Sequence, residues 1–323
     1  MSFYPLQFIP QFQYRLWGGD KLATVLNKQY SGNNRGESWE ISAVEDAPSI
    51  IANGRFKGLE LTSLVKDYPQ EILGEKPLQR FGETFPLLIK FIDAQIPLSV
   101  QVHPDDDYAK KQHDSFGKNE MWYVVQADED AVLTLGFKKE IDKKTFLTLI
   151  EEQRLEEVLH RENVKAGDAV YIPSGKVHAI GGGILLAEIQ QTSDITYRIY
   201  DYDRIDSKTG QPRGLHNDHA LEVVDFSLEQ QKKINYSKQI NTGNAVISTP
   251  YFSTDIYFVT GNLSRTYTGR DSFHILLCVE GHLMLSFETI DYELNFGQCL
   301  LIPAAVHNIE INGQGTFLEV FIA

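Results

Sequence analysis

The chain has 323 residues, enough for two domains, and its 42% hydrophobic and 23% charged residues are typical of a globular protein with a sizeable core. The formal net charge of −14 argues against nucleic acid or an anionic membrane surface as a partner. No apolar run approaches the roughly 20 residues of a membrane-spanning helix, so we expect no membrane partner.

The N-terminus and the cysteines predict a cytoplasmic protein. Residues 1–8 have neither the basic flank nor the apolar core of a signal peptide. The two cysteines, Cys278 and Cys299, each lie in an apolar run that is typical of a strand. We therefore expect buried free thiols in a reducing compartment, and no disulfide framework.

The first hundred residues predict strands, turns and one helix. Residues 1–58 are typical of β-structure, and residues 85–92 form an apolar run suited to a buried strand. That run contains Lys90, which must reach solvent or meet an anion, because burying an unpaired lysine is costly. Apolar residues at helical spacing predict a helix, namely Leu61, Leu64, Val65 and Tyr68, and Pro69 helps to end it.

The stretch from residue 99 to residue 125 places two polar side chains on one strand face. Alternation puts Gln101 and His103 on one side of a strand and the neighbouring valines on the other. A polar loop follows at 110–119, and Glu120 then opens a second strand. Imidazole and carboxylate are ordinary zinc ligands, so this pattern suits a divalent cation. On these residues alone, a hydrogen-bonded surface pair is the alternative for Gln101 and His103.

A later pattern supplies another histidine. A turn precedes a short apolar strand at 169–172, a second turn follows at 173–175, and His178 begins a further strand. The glycines at 181–183 lack a Walker lysine and a following helix, so they predict a hairpin turn and not a phosphate-binding loop.

Two further helices are predicted between and after these patterns. Residues 142–160 have helical spacing of their apolar positions. Residues 217–226 predict a short helix that Asn217 or Asp218 caps.

The motifs resemble a known family. The segment G-D-A-V-Y-I-P-S-G-K-V-H at 167–178 resembles the second motif of the cupin superfamily. Together with L-L-I-K-F-I-D-A-Q-I-P-L-S-V-Q-V-H-P, G-K-N-E-M and E-I-Q-Q-T-S-D-I-T-Y-R-I-Y-D-Y-D-R, it is similar to type I mannose-6-phosphate isomerases, most of all their short bacterial form. The matching segments cover most of residues 1–225. The resemblance implies a mainly β fold of two cupin-type jelly-roll β-barrels with a few short helices.

The resemblance also implies a metal site. We expect His103, Glu120 and His178 to bind one Zn²⁺ per chain, with Gln101 as a fourth ligand. Two neutral imidazoles and one carboxylate leave an open position, which is typical of catalytic zinc and not of structural zinc.

The family pattern assigns four basic residues to the chemistry. Lys118 is expected to transfer protons and Arg198 to be catalytic, whereas Lys90 and Arg204 are expected to bind the substrate. Forked guanidinium groups suit phosphate oxygens. On the residues alone, a solvated loop lysine is the alternative for Lys118.

The sequence departs from the family near these residues. Many relatives have His-Lys-Pro-Glu where this chain has Gly-Lys-Asn-Glu at 117–120, so a ring-opening role for that histidine is unfilled or met elsewhere, with His113 as a weak substitute. The catalytic segment ends in Asp203 and Arg204 instead of Pro-Lys. We expect Asp201 and Asp203 to orient the arginines and not to act as general bases.

The C-terminal part of the chain repeats the first part. Residues 272–285 match the segment around Glu120, with His274 in its place. Residues 296–309 match the segment around His178 with one residue deleted, and His307 takes its place.

The repeat predicts two domains. The second copy has no counterpart of the Gln101–His103 pair, so we expect no metal there. Residues 227–244 are rich in polar residues and predict a linker. We therefore expect a metal-binding catalytic domain with small helical insertions at 1–235 and a degenerate cupin domain without metal at 236–323.

The leading hypothesis is a zinc-dependent aldose–ketose isomerase. It would interconvert mannose 6-phosphate and fructose 6-phosphate by moving a proton between C1 and C2 through an enediol. A cupin metal-dependent oxygenase and a non-catalytic sugar-binding cupin are the alternatives, and the charged candidate residues argue against the first. The expected partner is a small phosphorylated sugar, and both a monomer and a homodimer remain open.

Overall fold

The computed structural model describes residues 2–228 and 232–323. Mainly β structure with a few short helices runs through these residues, which confirms the predicted class. Residues 229–231 of the predicted linker lie outside the described residues. Within the described ranges, no helix is long and apolar enough to cross a membrane.

The first part of the chain consists of short strands that turns and loops separate. They are β1 Phe8–Ile9, β2 Gln11–Tyr14, β3 Arg35–Ile41, β4 Ile50–Ile51, β5 Leu87–Ala94, β6 Val100–Val102, β7 Glu120–Ala127, β8 Val132–Phe137, β9 Leu159–Asn163, β10 Ala169–Ile172, β11 His178–Ile180, β12 Ile184–Gln191, β13 Tyr197–Tyr200, β14 Ile205–Asp206 and β15 Gln211–Pro212.

Two antiparallel sheets from these strands position the site. One has the strand order β10-β7-β12-β5-β3-β2, and the other has the order β13-β6-β11-β8-β9. Trp122 and Val170 of the first sheet share an apolar core with Leu133 and Ile180 of the second sheet. The two sheets therefore pack against each other, and side chains that point inward from both can meet.

The C-terminal part forms a third sheet of longer strands. These are β16 Asn244–Ser248, β17 Ser253–Thr266, β18 His274–Phe287, β19 Ile290–Asn295, β20 Cys299–Ile302 and β21 Asn308–Phe321. Their order is β16-β17-β21-β18-β19, with β20 paired to β18. Cys278 is buried, Cys299 is partly buried, and both are free thiols.

The register of this third sheet follows the sequence repeat. His274 pairs with Ile302 of β20 and Phe321 of β21. Glu120 pairs in the same way with Ile172 of β10 and Gln190 of β12. In the described residues the pairings give open sheets, so closure of each half into a jelly-roll barrel stays a prediction.

The helices are short and lie between the strands. They are α1 Lys21–Thr24, α2 Leu61–Asp67, α3 Pro69–Leu73, α4 Glu75–Phe81, α5 Asp106–His113, α6 Lys143–Glu151 and α7 Asn217–Val223, with 3₁₀ helices at Gly54–Phe56 and Leu155–Val158. The helix predicted from Leu61 is confirmed, and it buries Leu61, Leu64 and Val65. Pro69 both ends it and begins α3, because proline fits the first turn of a helix.

Two local predictions around helices are wrong. The segment predicted as a polar loop at 110–119 begins inside α5, which Asp105 caps by accepting a hydrogen bond from the Tyr108 N–H. The helix α7 begins after His216, which makes no side-chain cap, so neither Asn217 nor Asp218 is its cap.

Two other local predictions need correction. The predicted helix at 142–160 divides into α6, a 3₁₀ turn and the start of β9, because Gln153 adopts a positive φ of 56° after α6 ends. The glycines at 181–183 form a turn but no hairpin, since β11 and β12 belong to different sheets. Gly183 has a φ of +82°, and a Cβ there would lie 2.7 Å from the Asp128 carboxylate.

Candidate active site

The two facing sheets bring the predicted ligands together. In the five-stranded sheet, Gln101 of β6 pairs with His178 on one side and Arg198 on the other. His103 follows directly after β6. In the six-stranded sheet, Glu120 is the first residue of β7. Residues that are distant in the sequence therefore meet between the sheets.

His103, Glu120 and His178 form a buried cluster with the spacing of metal ligands. The Nε2 atoms of the two histidines are 3.1 Å apart. Glu120 Oε1 lies 3.3 Å from His178 Nε2, and Glu120 Oε2 lies 3.7 Å from His103 Nε2. Ligand atoms about 2.0–2.1 Å from a tetrahedral ion lie about 3.3 Å from one another, so the spacing fits zinc. Gln101 presents its amide nitrogen 3.3 Å from His178 Nε2, and it would have to turn its amide oxygen inward to bind a metal.

Backbone contacts fix which nitrogen of each imidazole faces the cluster. His103 Nδ1 lies 2.9 Å from the carbonyl oxygen of Ile195, and His178 Nδ1 lies 2.7 Å from that of Lys176. Each Nδ1 must carry the proton to donate to a carbonyl, so each Nε2 of a neutral ring has a lone pair. Two lone pairs 3.1 Å apart repel unless a cation lies between them.

The carboxylate of the cluster has one charged partner. Both oxygens of Glu120 are buried and accept no hydrogen bond among the described residues, and Glu120 Oε2 lies 3.3 Å from Lys118 Nζ. Burial of a carboxylate is costly, and a cation bound beside both oxygens would lower that cost further. The donor set therefore fits a divalent metal ion.

Burial and neighbouring charges set the protonation of these ligands. Burial lowers the pKa of His178 to about 4. The pKa of His103 lies well below its ordinary value because the ring is buried and Lys118 is close. Both rings are therefore neutral near pH 7, as metal ligands must be. Burial and the nearby Glu188 raise the pKa of Glu120 to about 7, and a bound cation would favour its carboxylate form.

Lys118 lies at the edge of the cluster. Its Nζ atom is 3.2 Å from His103 Nε2 and 3.3 Å from Glu120 Oε2. Its side chain is only 5% exposed, so it is not a solvated loop lysine. The lysine is thus held beside the ligands and also lines the adjoining cavity.

Asn119 fixes the backbone between Lys118 and Glu120. The one feature of the sequence that could have drawn attention to it is that it replaces a proline of the family. Its N–H and its side-chain amide both donate to Gln191 Oε1, at 2.9 and 2.8 Å. Its Oδ1 accepts from the Tyr171 hydroxyl and from the Ser174 N–H, both at 3.0 Å. These four hydrogen bonds tie the start of β7 to the ends of β10 and β12.

Of the two alternatives left open for Lys90, solvent or an anion, the structure shows the anion. Its Nζ atom lies 2.8 Å from Glu188 Oε1 and 4.0 Å from Glu37 Oε2. Glu37 also accepts two hydrogen bonds from Arg15, at 2.8 and 3.0 Å. Burial alone would lower the pKa of Lys90, but the two carboxylates raise it above its ordinary value. Lys90 is therefore a charged ammonium group. Sequence reasoning assigned no role to its neighbours Glu37, Glu188 and Arg15.

A cavity of about 390 Å³ opens beside the metal-ligand cluster, a size that suits a small ligand. Gln101, Lys118, Lys90 and Arg198 are among the residues that line it. His113 lies outside it, exposed at the end of α5 and hydrogen-bonded to the Tyr197 hydroxyl.

Arg204 does not line the cavity. Its Nη1 donates to the Pro97 carbonyl at 2.5 Å, its Nε donates to the Asp201 carbonyl at 3.1 Å, and its Nη2 pairs with the Asp201 carboxylate. The orienting role predicted for Asp201 fits these contacts, whereas substrate binding by Arg204 stays a prediction. A residue that sequence reasoning missed, Arg213, lines the cavity and also binds Asp201.

The equivalent positions in the C-terminal sheet differ. His274 is buried between the rings of Tyr267 and Phe321, with centroid distances of 4.1 and 5.2 Å. His307 is exposed. Over residues 2–228 and 232–323, the only group of three potential metal ligands is His103, Glu120 and His178.

Comparisons with known proteins indicate one family over nearly the whole chain. Residues 6–131 match the family described as phosphomannose isomerase type I, catalytic domain, and residues 241–322 match the mannose-6-phosphate isomerase cupin domain. The chain is 37% identical to the probable mannose-6-phosphate isomerase GmuF of Bacillus subtilis over 98% of both chains. It is 33% identical to mannose-6-phosphate isomerase of Streptococcus mutans over 96% of both. The crystal structure of mannose 6-phosphate isomerase from Bacillus subtilis superposes with a TM-score of 0.89 at 32% identity, covering 98% of this chain and 99% of that one.

Proposed function

The chain belongs to the type I mannose-6-phosphate isomerases, and from this membership we propose that it interconverts mannose 6-phosphate and fructose 6-phosphate with one zinc ion per chain. The observation that carries the proposal is that His103 Nε2 and His178 Nε2 direct their lone pairs at each other beside Lys118, at the edge of a charged cavity.

His103, Glu120 and His178 would hold the zinc ion, with Gln101 as a fourth ligand. A bound zinc ion would supply Lewis-acid polarisation of the sugar oxygens. The two backbone carbonyls behind the histidines keep their Nε2 atoms directed at the ion.

The isomerisation moves one proton between C1 and C2, and we expect Lys118 to carry it. The lysine is buried next to the ligands and faces the cavity, so a sugar bound there would bring its reacting carbons within reach. Removal of the proton from C2 of the aldose, with protonation of O1, gives the enediol. Removal of the proton from O2, with protonation of C1, then gives the ketose, so one proton passes from C2 to C1 and one from O2 to O1.

The other basic residues would bind the substrate. Arg198 lies beside Gln101 in register and lines the cavity, which suits contact with reacting oxygens or with phosphate. Lys90 offers a fixed positive charge in the cavity wall. Arg204 would reach the phosphate only by exchanging its contacts with Asp201 and Pro97.

We also propose that the chain has two domains, at 1–235 and 236–323, and that each is a jelly roll of the cupin type. The matched cupin domain at 241–322 supports this boundary.

A coupled assay tests the function. With mannose 6-phosphate as substrate, the purified protein is expected to form fructose 6-phosphate, to lose this activity after treatment with a chelator and to regain it with Zn²⁺. Activity that survives complete metal removal would exclude the metal-dependent mechanism. A zinc-loaded, folded protein that turns over no mannose 6-phosphate would exclude the isomerase itself.

A further inference from the structure

The segment that connects the two facing sheets starts at a pair of glutamines. Gln190 and Gln191 end β12 of the six-stranded sheet, and β13 of the five-stranded sheet begins at Tyr197. We call residues 190–196 the crossover segment. Glu120 lies in the first of these sheets and His178 in the second, so the crossover segment runs between the sheets that carry the candidate metal ligands.

Gln190 folds its side chain back onto the crossover segment. Its Nε2 donates to the carbonyl of Gln191 at 2.8 Å and to that of Ser193 at 2.5 Å. Two carbonyl acceptors settle the orientation of the amide, because a flipped amide would bring its oxygen against both of them. The Oε1 atom is buried and has no hydrogen-bond partner among the described residues. An unpartnered buried oxygen costs stability, so the contribution of Gln190 comes from its two donated bonds.

The turn that Gln190 holds leads to a group that contacts a metal ligand. The Ser193 N–H donates to the Gln191 carbonyl at 2.8 Å, and the Ile195 N–H donates to Ser193 Oγ at 3.4 Å. The Ile195 carbonyl accepts from His103 Nδ1 at 2.9 Å. This last bond keeps the proton on Nδ1 and directs the lone pair of Nε2 at the cluster. Gln190 is therefore connected to His103 through the turn at 191–195.

Gln191 holds the other side of the site. Its Oε1 accepts from the N–H and from the side-chain amide of Asn119. Its Nε2 donates to Asp106 Oδ1 at 2.9 Å, and the same oxygen accepts from the Gly117 N–H at 2.8 Å. Gly117 and Asn119 flank Lys118 in the chain, so Gln191 fixes the backbone on both sides of the lysine.

We propose that Gln190 and Gln191 are positioning residues of the metal site. Gln190 directs His103 through the Ile195 carbonyl, and Gln191 directs Lys118 through Asn119 and Asp106. Neither glutamine lines the cavity, so both act through other residues. The inference rests on the proposed function for the identity of the ion, Zn²⁺, but its tests on Gln190 need no isomerase activity.

Titration of the metal-free protein with Zn²⁺, in competition with a chromophoric chelator, tests the role of Gln190. Gln190→Met keeps the length of the side chain and removes the donor. It should bind Zn²⁺ roughly ten- to a hundredfold more weakly than the wild-type protein, because outer partners of a metal-binding histidine have effects of this size. Saturating Zn²⁺ should restore most of kcat, since the bound ion then holds the His103 ring itself.

Nitrogen-15 NMR of the metal-free protein gives a second readout for Gln190. In the wild-type protein the ring signals of His103 should be those of a neutral imidazole with its proton on Nδ1. In Gln190→Met they should move toward a mixture of the two tautomers, because the Ile195 carbonyl is no longer held in place. A loss of overall stability alone would leave the tautomer of the folded protein as it is.

Steady-state kinetics test the role of Gln191. Gln191→Met should lower kcat for mannose 6-phosphate at least about tenfold, with a smaller change in KM, because Lys118 loses its fixed direction. This loss should persist with saturating Zn²⁺. Full recovery of kcat on addition of Zn²⁺ would exclude the route through Lys118.

Asn244 offers a matched control in the C-terminal half. Its buried amide likewise donates to the carbonyls of a turn and an adjoining strand, those of Gln239, Thr242 and Ile256. Asn244→Leu should lower the free energy of unfolding as Gln190→Met does, while zinc affinity and the His103 tautomer stay unchanged. An equal loss of zinc affinity in both variants would show a general effect of destabilisation and overturn the proposal.

The remaining outcomes separate this inference from the proposed function. Wild-type zinc affinity and an unaltered tautomer in folded Gln190→Met would overturn the role of Gln190. If that variant does not fold, Gln190→Glu keeps the shape of the side chain without its donor, and the same two measurements decide. A wild-type protein that binds zinc without isomerase activity counts against the proposed function alone. An active wild-type enzyme whose Gln190→Met variant binds zinc equally well counts against this inference alone.

Discussion

Two buried lysines in the cavity wall have different partners, and we propose different roles for them. Lys90 pairs with Glu188 at 2.8 Å and faces Glu37 at 4.0 Å, so two carboxylates hold it as an ammonium ion. Lys118 faces the single carboxylate of Glu120 and the lone pair of His103. A permanently charged group suits binding, whereas a group next to the metal ligands suits proton transfer.

The first residue-scale prediction concerns Lys118→Ala. Loss of a positioned proton carrier should lower kcat roughly 10²- to 10⁴-fold with little change in KM for mannose 6-phosphate. Metal analysis of the same sample serves as the control, because Lys118 also contacts Glu120 and His103. Normal turnover with weakened binding would show that the lysine acts at another part of the substrate.

At the scale of elements, hydrogen bonds from neighbouring strands fix the start of β7, where Lys118 and Glu120 lie. Asn119 makes four hydrogen bonds that join it to Gln191, Tyr171 and Ser174. Lys118 and Glu120 lie on either side of this anchor. Their direction is therefore set by the ends of β10 and β12 as well as by β7 itself.

Asn119→Ala tests this anchor. The change removes the three hydrogen bonds of the Asn119 side chain and leaves the Ser174 N–H and the Tyr171 hydroxyl without this acceptor, while the backbone N–H at position 119 still donates to Gln191. We therefore expect a loss of about 2–4 kcal/mol in the free energy of unfolding. It should also lower kcat at least about tenfold, because Lys118 and Glu120 lose their orientation. Urea unfolding and steady-state kinetics measure the two effects.

Tyr171→Phe is the matched control for this prediction. It removes only one of the four hydrogen bonds and should cost about 0.5–1.5 kcal/mol with kcat nearly unchanged. An Asn119→Ala enzyme with the stability and kcat of the Tyr171→Phe enzyme would contradict the anchoring role.

At the scale of the whole molecule, the two halves share an apolar core, and within residues 2–228 and 232–323 the cluster of three candidate metal ligands lies in the N-terminal half. Leu64 and Ile72 of the N-terminal helices belong to the same buried cluster as Leu277 and Leu301 of the C-terminal sheet. The C-terminal half repeats the register of the first half, yet His274 is packed between aromatic rings and His307 is exposed. The second half therefore contributes to the stability of the first half by apolar packing.

The prediction at this scale is a metal content of one ion per chain. Elemental analysis should find about one divalent ion in the wild-type protein and in a His274→Gln/His307→Gln variant, with similar turnover. His103→Ala should lose the metal. The single His307→Gln variant controls for folding, since His307 is exposed. A halved metal content in the double variant, or full zinc in His103→Ala, would contradict the assignment.

The sequence by itself determined the mainly β class and the family, and it predicted that His103, Glu120 and His178 lie together. Alternation along a strand is a local rule, so the shared face of Gln101 and His103 followed from their spacing. The short strand at 169–172 and the strand that begins at His178 are confirmed for the same reason. The cost of burying an unpaired lysine left solvent or an anion as the alternatives for Lys90, and the structure shows Glu188 as the anion.

Only the tertiary structure decided the partners. The pairing of Lys90 with Glu188, the anchoring of Asn119 and the place of Arg213 in the cavity wall depend on which strands pair and in which register. Arg204 stands at the family's position in the sequence, yet it does not line the cavity and donates to Asp201 and Pro97, whereas Arg213 lines the cavity. Local patterns predict the face on which a side chain lies, but the side chains that reach the cavity are set by contacts between residues far apart in the chain.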